Sequence, residues 1–453
     1  MKILLVYPTH LNRHGQPVKY QSAYIPPLVL GILNSLTPAH HQVTVVNDFV
    51  EEIDFSVAYD LVAITMLTTQ APRAYQIADR FRAAGARIVL GGIHASVLPD
   101  EAAQHADAVV IGEAEHIWQQ ILADCENGRL QPVYRQEALT DLQQLVLPKW
   151  ENFNLGIYRR YSSKDPMPRM PIYTTRGCVF NCKYCSVTKF FGRTYRFKPV
   201  AHVLKEIDST NAYRYFFSDD NIVCEPDYAR ELFTALKGRH IRWNSQCSVH
   251  ILRNPHLIEM AAQAGCRNLL IGVESISKES LRAMKKGFNK PEQYLELFKR
   301  MVAAGIRPYV SLIYGMDSDS PEQLIRTLEF FKKANVWNVV LWLLTPLPGT
   351  ELFEEFEAGK RILDWDWSKY DATQAVFQPR YFSLQELNRN YWKAYQSYYT
   401  LPSIGGRLIK AVLRLDRPLR HLVEDLLLQI YIHKRLIKKN NPISMGIGPL
   451  TAH

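Results

Sequence analysis

The sequence predicts an α/β protein with two parallel-sheet units. A Rossmann-like, doubly wound sheet comes first, a partial (β/α)6 TIM-type barrel second, and a C-terminal helical segment follows. Three observations carry that reading. Short apolar runs alternate with helix-period segments over the first third of the chain. The alternation resumes after a proline-punctuated stretch. Polar residues gather just after the apolar runs, at the strand ends where parallel sheets and barrels bind ligands.

Lys2–Tyr7 (KILLVY) is a continuous apolar run, as expected of a strand buried on both faces. Val43–Val46, Leu61–Met66, Arg87–Leu90 and Ala108–Ile111 repeat the pattern. Between them, Ala74, Ile77, Ala78 and Phe81 fall at helical spacing. Five strands alternating with helices predict a parallel sheet covered on both faces over residues 1–135. Its strand ends carry Thr68, Gly91-Gly92 and Gly112-Glu113, candidate contacts for a ligand in the crevice. Glycine lets backbone approach a ligand closely, although the same glycines can serve tight turns alone. Residues 136–166 read as a linker, with Pro148 and Pro166 inside it and Pro132, Pro168 and Pro171 at its borders.

Tyr173–Ser186 reads YTTRGCVFNCKYCS, which spaces Cys178, Cys182 and Cys185 as C-x3-C-x2-C. Three thiolates within eight residues can converge on one metal centre. A structural zinc site wants a fourth ligand and paired C-x2-C knuckles, and a redox dithiol needs two cysteines rather than three. Cys125, Cys224, Cys247 and Cys266 are scattered and read as ordinary buried small residues. The spacing therefore favours an iron–sulfur cluster. Three ligands for four irons leave one iron open for chemistry.

Six βα units follow from Ile172–Thr174 onward: Tyr213–Phe217, Ile241–Ser248, Asn268–Val273, Tyr309–Tyr314 and Val339–Leu344 are the later strands. Ser218-Asp219-Asp220, Glu274 and Pro346–Gly349 stand at their ends, within a unit spanning 167–380. Residues 381–453 turn helical. Tyr391, Trp392, Tyr395, Tyr398 and Tyr399 read as packing residues. Leu419, Leu422, Val423, Leu426 and Ile430 predict an apolar helix face ending in Lys434, Arg435, Lys438 and Lys439.

Composition narrows the class. The chain has 453 residues, 47% hydrophobic and 22% charged, which suits a globular protein and excludes disorder. Its net charge is +10, from 54 Lys and Arg against 44 Asp and Glu. Residues 401–453 hold nine Lys and Arg against three Asp and Glu, a local +6. With no basic–aromatic motif, the excess points to no nucleic-acid groove. It leaves two readings of the tail: peripheral contact with an anionic membrane, or a helix packed on the barrel with a solvated basic end. Seven cysteines exclude a disulfide scaffold. The first apolar run ends at Pro8, short of a secretory signal, so a cytoplasmic setting is expected.

The cysteine spacing, with Tyr184 before the last cysteine, resembles the radical S-adenosylmethionine enzymes. LTPLPGTELFEEFEAGKRI, WDWSKYDATQAVFQPR and VLGGIHASVLPDEAAQHADAVVIGEAE resemble the cobalamin-dependent branch that includes hopanoid methylases. The resemblance covers nearly the whole chain. It implies a [4Fe-4S] cluster on Cys178, Cys182 and Cys185, whose open iron chelates S-adenosyl-L-methionine to give a 5′-deoxyadenosyl radical. It implies cobalamin at the N-terminal sheet, a small-molecule or lipid substrate, and an external electron donor such as flavodoxin or ferredoxin. Ser218, Asp219 and Asp220 stand where the family usually has Gly-Gly-Glu. Glu274 resembles a contact to the S-adenosylmethionine amine or nucleoside, and Lys286 a contact to its carboxylate. The Asp-x-His-x-x-Gly hexad that presents a histidine to cobalt is absent, and His94 is not in that frame. The implied reaction is C-methylation of an unactivated carbon, such as one in a lipid or isoprenoid. Cyclisation, oxidation or rearrangement without methyl transfer is the alternative. A non-catalytic electron-transfer module would need a fourth cluster ligand.

Overall fold

A computed structural model of the chain describes residues 1–158, 167–413 and 419–439. The end of the expected linker (159–166), residues 414–418 and the end of the basic extension (440–453) lie outside the described residues.

Two six-stranded parallel sheets form the body. The first contains β1 (Lys2–Tyr7), β2 (Gln42–Asn47), β3 (Leu61–Thr65), β4 (Arg87–Gly91), β5 (Ala108–Ile111) and β6 (Val133–Arg135), in the order β2-β1-β3-β4-β5-β6. Five of these match the expected strands. The sixth is three residues long, with Val133 and Arg135 exposed, so no apolar run announces it. Among the described residues it is an edge strand, paired with β5 alone.

The second sheet contains β7 (Met170–Ile172), β8 (Arg214–Phe217), β9 (Arg242–Cys247), β10 (Cys266–Glu274), β11 (Arg307–Tyr314) and β12 (Asn338–Leu343), neighbours in that order. Among the described residues the end strands do not pair with each other, so the barrel is open. The expected first strand is shifted. Met170–Ile172 joins the barrel, while Thr175–Arg176 leaves it to form a short antiparallel ribbon with Arg196–Phe197. That departure carries the cysteine segment out over the barrel mouth.

The C-terminal helices cover the barrel's open edge. Along the helix Leu384–Tyr398 and just after it, Tyr391, Tyr395, Tyr398 and Tyr399 are buried. The Tyr399 hydroxyl accepts from Val339 N (2.9 Å) and donates to Val339 O (2.8 Å), satisfying edge groups of β12 that no further strand meets. Tyr391 donates to Leu341 O at 3.0 Å. The aromatic run is packing, as the sequence suggested.

In the helix Leu419–Ile437 the buried line is Leu422, Asp425, Gln429, Ile432 and Leu436; it shares Leu422 with the expected apolar series but runs through Asp425 and Gln429 rather than Leu426 and Ile430. The polar members are buried because the barrel supplies their partners. Asp425 meets Arg307 at 3.1 Å, and Gln429 accepts from Arg407 and donates to Trp337 O. Val423, expected inside, is exposed. Among the described residues, no helix is long and apolar enough to cross a membrane.

Candidate functional site

The cysteine loop is held from both sides. Lys183 N donates to Met284 O (3.1 Å), its carbonyl accepts from Leu352 N (3.0 Å), and its ammonium pairs with Glu355. Cys178, Cys182 and Cys185 thereby line one cavity of about 240 Å³ at the carboxyl ends of β8–β11. Burial pushes the Cys182 thiol up and the Cys185 thiol up to about 12. The neighbouring Cys224 thiol and then burial push Cys178 up. A metal centre that binds such thiols displaces their protons. The donor set fits a cluster with three protein ligands.

Opposite the thiols lies a buried ion pair. Lys286 Nζ stands 2.6 Å from Glu274 Oε1, both almost fully shielded. Tyr184 Oη donates to the same oxygen (3.1 Å), and Ser311 Oγ donates to Oε2 (3.1 Å). Burial disfavours the Lys286 charge, but the adjacent Glu274 wins and raises its pKa. Glu274 itself sits at φ +67°, where the β10–β11 register slips. Such a backbone costs about 1–3 kcal/mol and persists when its surroundings hold it. Gly272 makes the space, since a Cβ there would lie 2.7 Å from Lys286 Nζ and 2.8 Å from Glu274 Oε1. The expected contact residues Glu274 and Lys286 thus share one cavity with the cysteines.

The Ser218-Asp219-Asp220 segment divides. Asp220 lines the cysteine cavity and accepts from Gly177 N (3.2 Å). Asp219 lines neither cavity described here. It turns inward, where its Oδ1 accepts from Thr174 and Thr175 at 2.6 and 2.5 Å. Burial raises both carboxyls to about 6.

A second cavity, about 320 Å³, opens at the carboxyl ends of β3, β4 and β5. Gly91, Gly92, Gly112 and Glu113 line it; Thr68 does not, because it is buried in a 3-10 turn. Gly92 has φ +92°, and a Cβ there would meet Met66 N and O at 2.7 Å, so only glycine fits. The rest of the wall is mostly apolar, including Val89, Val110 and Trp118. His94 lies off the cavity, buried, with Nε2 3.1 Å from Glu101, which also accepts from Trp367 of the barrel unit. Glycine backbone and apolar side chains in this wall fit the flat face of a macrocyclic cofactor lying against them.

Sequence reasoning missed how this cavity is closed. Arg176, two residues before the first cysteine, reaches across to Glu113 (2.6 Å) and Glu115 (2.7 Å). Arg196 adds a second bond to Glu113 at 2.8 Å. Burial opposes ionisation of Glu113, but Arg196 and Arg176 hold its carboxyl below the usual value. Glu113 thus belongs to an ion network joining the two sheets. Val187, Phe190 and Phe191, directly after the cysteines, form another wall. Val187 and Asp220 line both cavities, so the two adjoin. The only sequence signal for Arg176, Val187, Phe190 and Phe191 is their nearness to the cysteine motif.

The Radical SAM superfamily profile matches residues 172–331, and the B12 binding domain profile matches residues 35–122. Bacteriochlorophyllide d C-12(1)-methyltransferase of Chlorobaculum tepidum is 31% identical over 391 residues, 84% of either chain. The C-8(2)-methyltransferase of the same organism is 30% identical over 445 residues, 93% of this chain and 97% of the relative. The chain belongs to the cobalamin-binding radical S-adenosylmethionine methyltransferase family. Its fold is that of the cobalamin-dependent S-adenosylmethionine radical enzyme OxsB, with TM-score 0.69 at 13% identity over 97% of this chain and 71% of that one. The family's cofactors are a [4Fe-4S] cluster, S-adenosylmethionine and cobalamin.

Proposed function

We propose that the chain methylates an unactivated carbon of an apolar small molecule, with tetrapyrroles as the substrate class. The observation that carries the reading is the adjoining of the two cavities at Val187 and Asp220. The substrate class is supported by the bacteriochlorophyllide methyltransferases at 30–31% identity.

Cys178, Cys182 and Cys185 would hold the cluster. Glu274 and Lys286 offer one negative and one positive group 2.6 Å apart, the complement of an amino acid's ammonium and carboxylate. They would orient the methionine end of S-adenosylmethionine, with Tyr184 and Ser311 fixing the Glu274 carboxylate. Gly91, Gly92 and Gly112 would let cobalamin lie against backbone, and Phe190 and Phe191 would exclude water. When bound, these cofactors supply a 5′-deoxyadenosyl radical and a methyl group. The protein's part is to hold them side by side and dry.

An external reductant such as flavodoxin or ferredoxin would feed the cluster. A cytoplasmic setting suits the seven free cysteines. A second reading, an isoprenoid lipid substrate met at an anionic membrane, is favoured by one observation. Leu413, Leu427 and Ile437 stand more than 60% exposed on the basic C-terminal helices.

The test is anaerobic reconstitution with cobalamin, S-adenosylmethionine and a strong reductant, offering a bacteriochlorophyllide or an isoprenoid lipid. A methylated product with 5′-deoxyadenosine supports the reading, and the accepted substrate chooses the class. 5′-Deoxyadenosine without methylation of either would contradict it.

A further inference from the structure

At the end away from its cavity, the N-terminal sheet carries three side chains that methyl transfer does not use. His40 and His41 stand in the turn between the helix Leu28–Leu36 and β2, and Glu126 ends the helix Trp118–Glu126. The turn is held by its own bonds. His41 N donates to Pro38 O (3.1 Å), and Thr37 Oγ1 accepts from Trp118 Nε1 of the second helix (2.9 Å). The two imidazole rings lie 4.0 Å apart. His40 Nε2 and His41 Nδ1 each stand 3.6 Å from Glu126 Oε1. One ligand atom from each of the three residues falls within 4.8 Å of the others.

We propose that His40, His41 and Glu126 bind a divalent cation of the zinc class, with water completing the shell. A separation of 3.6 Å is too long for a hydrogen bond, so Glu126 satisfies neither ring. It is instead the spacing of neighbouring ligands on a tetrahedral zinc, about 3.3–3.6 Å for bonds of about 2.0–2.2 Å. Two imidazoles and a carboxylate are donors that suit zinc. His41 is the anchor, with its side chain 1% exposed. The Met1 ammonium, 3.3 Å from His41 Nδ1, can only donate to it. The lone pair a metal would take is therefore on the nitrogen that faces Glu126. Glu126 brings its charge to a helix carboxyl end, where the backbone dipole also favours a cation. A metal there would clip together two helices whose residues Ile32, Leu33 and Trp118 wall the cavity of the N-terminal sheet.

Zinc titrated into the untagged, full-length holoenzyme, with cluster and cobalamin loaded, tests the site by calorimetry and zinc-edge X-ray absorption. One zinc per chain is expected, in a shell of nitrogen and oxygen at about 2.0–2.2 Å without sulfur at about 2.3 Å. His40→Gln and Glu126→Gln should each weaken binding about tenfold or more, since losing a ligand costs at least what losing a supporting partner does. Both side chains reach solvent, so these variants should fold, with cluster and cobalamin content as in the wild type. His240→Asn, at an exposed histidine of the barrel unit, should leave zinc binding unchanged. At one zinc concentration, the thermal unfolding midpoint should rise in the wild type and not in His40→Gln. No saturable binding, sulfur in the zinc shell, or wild-type affinity in either glutamine variant would overturn the proposal.

Discussion

The two adjoining cavities are built from different materials. The cysteine cavity is walled by groups that ionise or ligate: three thiols, Glu274, Lys286 and Asp220. The cavity of the N-terminal sheet is walled mostly by glycine backbone and apolar side chains, and three of its charged residues, Glu113, Glu115 and Arg176, pair with one another. The first is suited to bind small, charged groups through specific contacts. The second is suited to hold a large ligand by shape. A single substitution should therefore disable the first outright, whereas the second should weaken by degrees.

Cys182→Ala should have the largest effect. It removes one of three thiol donors, so cluster absorbance and 5′-deoxyadenosine should fall to background while cobalamin loading persists. Loss of cobalamin as well would show that the cavities are not built independently.

Lys286→Met comes next. It leaves Glu274 buried, at positive φ and without its cation. Removing one partner of a buried pair costs about 3–5 kcal/mol, read as a lower urea midpoint. An unchanged midpoint would mean that the pair is already neutral.

Asp219 tests the segment between the cavities through pH. Its carboxyl rises from an ordinary 3.8 to about 6 on folding, chiefly by burial. The folded state then binds more protons between those values, so wild-type stability falls as pH rises from about 4 to about 6. Asp219→Asn removes that dependence. Stability of the variant relative to wild type should grow over this range by up to about 3 kcal/mol. A pH-independent difference would contradict the burial argument.

Gly92→Ala acts on the other cavity: it should cost at least about 1–3 kcal/mol, with cobalamin binding weakened and cluster content unchanged.

The same difference in materials decides what was legible in the sequence. Cys178, Cys182 and Cys185 declare themselves because chemistry demands that residue type at that spacing. Strands such as Lys2–Tyr7 and Ala108–Ile111 declare themselves because burial on both faces demands apolar runs. Val133–Arg135 did not, because an edge strand three residues long has no such demand. Glu113 was legible as a polar strand end but not as half of an ion network, since its partners Arg176 and Arg196 lie more than 60 positions away. Thr68 and Asp219 stand beside strand ends, as expected, yet local turns point them away from the cavities. The Leu419–Ile437 helix misled for a related reason. Its buried face includes Asp425 and Gln429, which look exposed until Arg307 and Arg407 are placed beside them.

The central claim is that cluster and cobalamin sit in adjoining cavities. Electron paramagnetic resonance of protein loaded with both, in the reduced-cluster and cob(II)alamin states, tests it most directly. Adjoining cavities predict mutual magnetic broadening and faster relaxation of the two signals, absent from Cys182→Ala. Two full-strength signals that each match the singly loaded protein would contradict it.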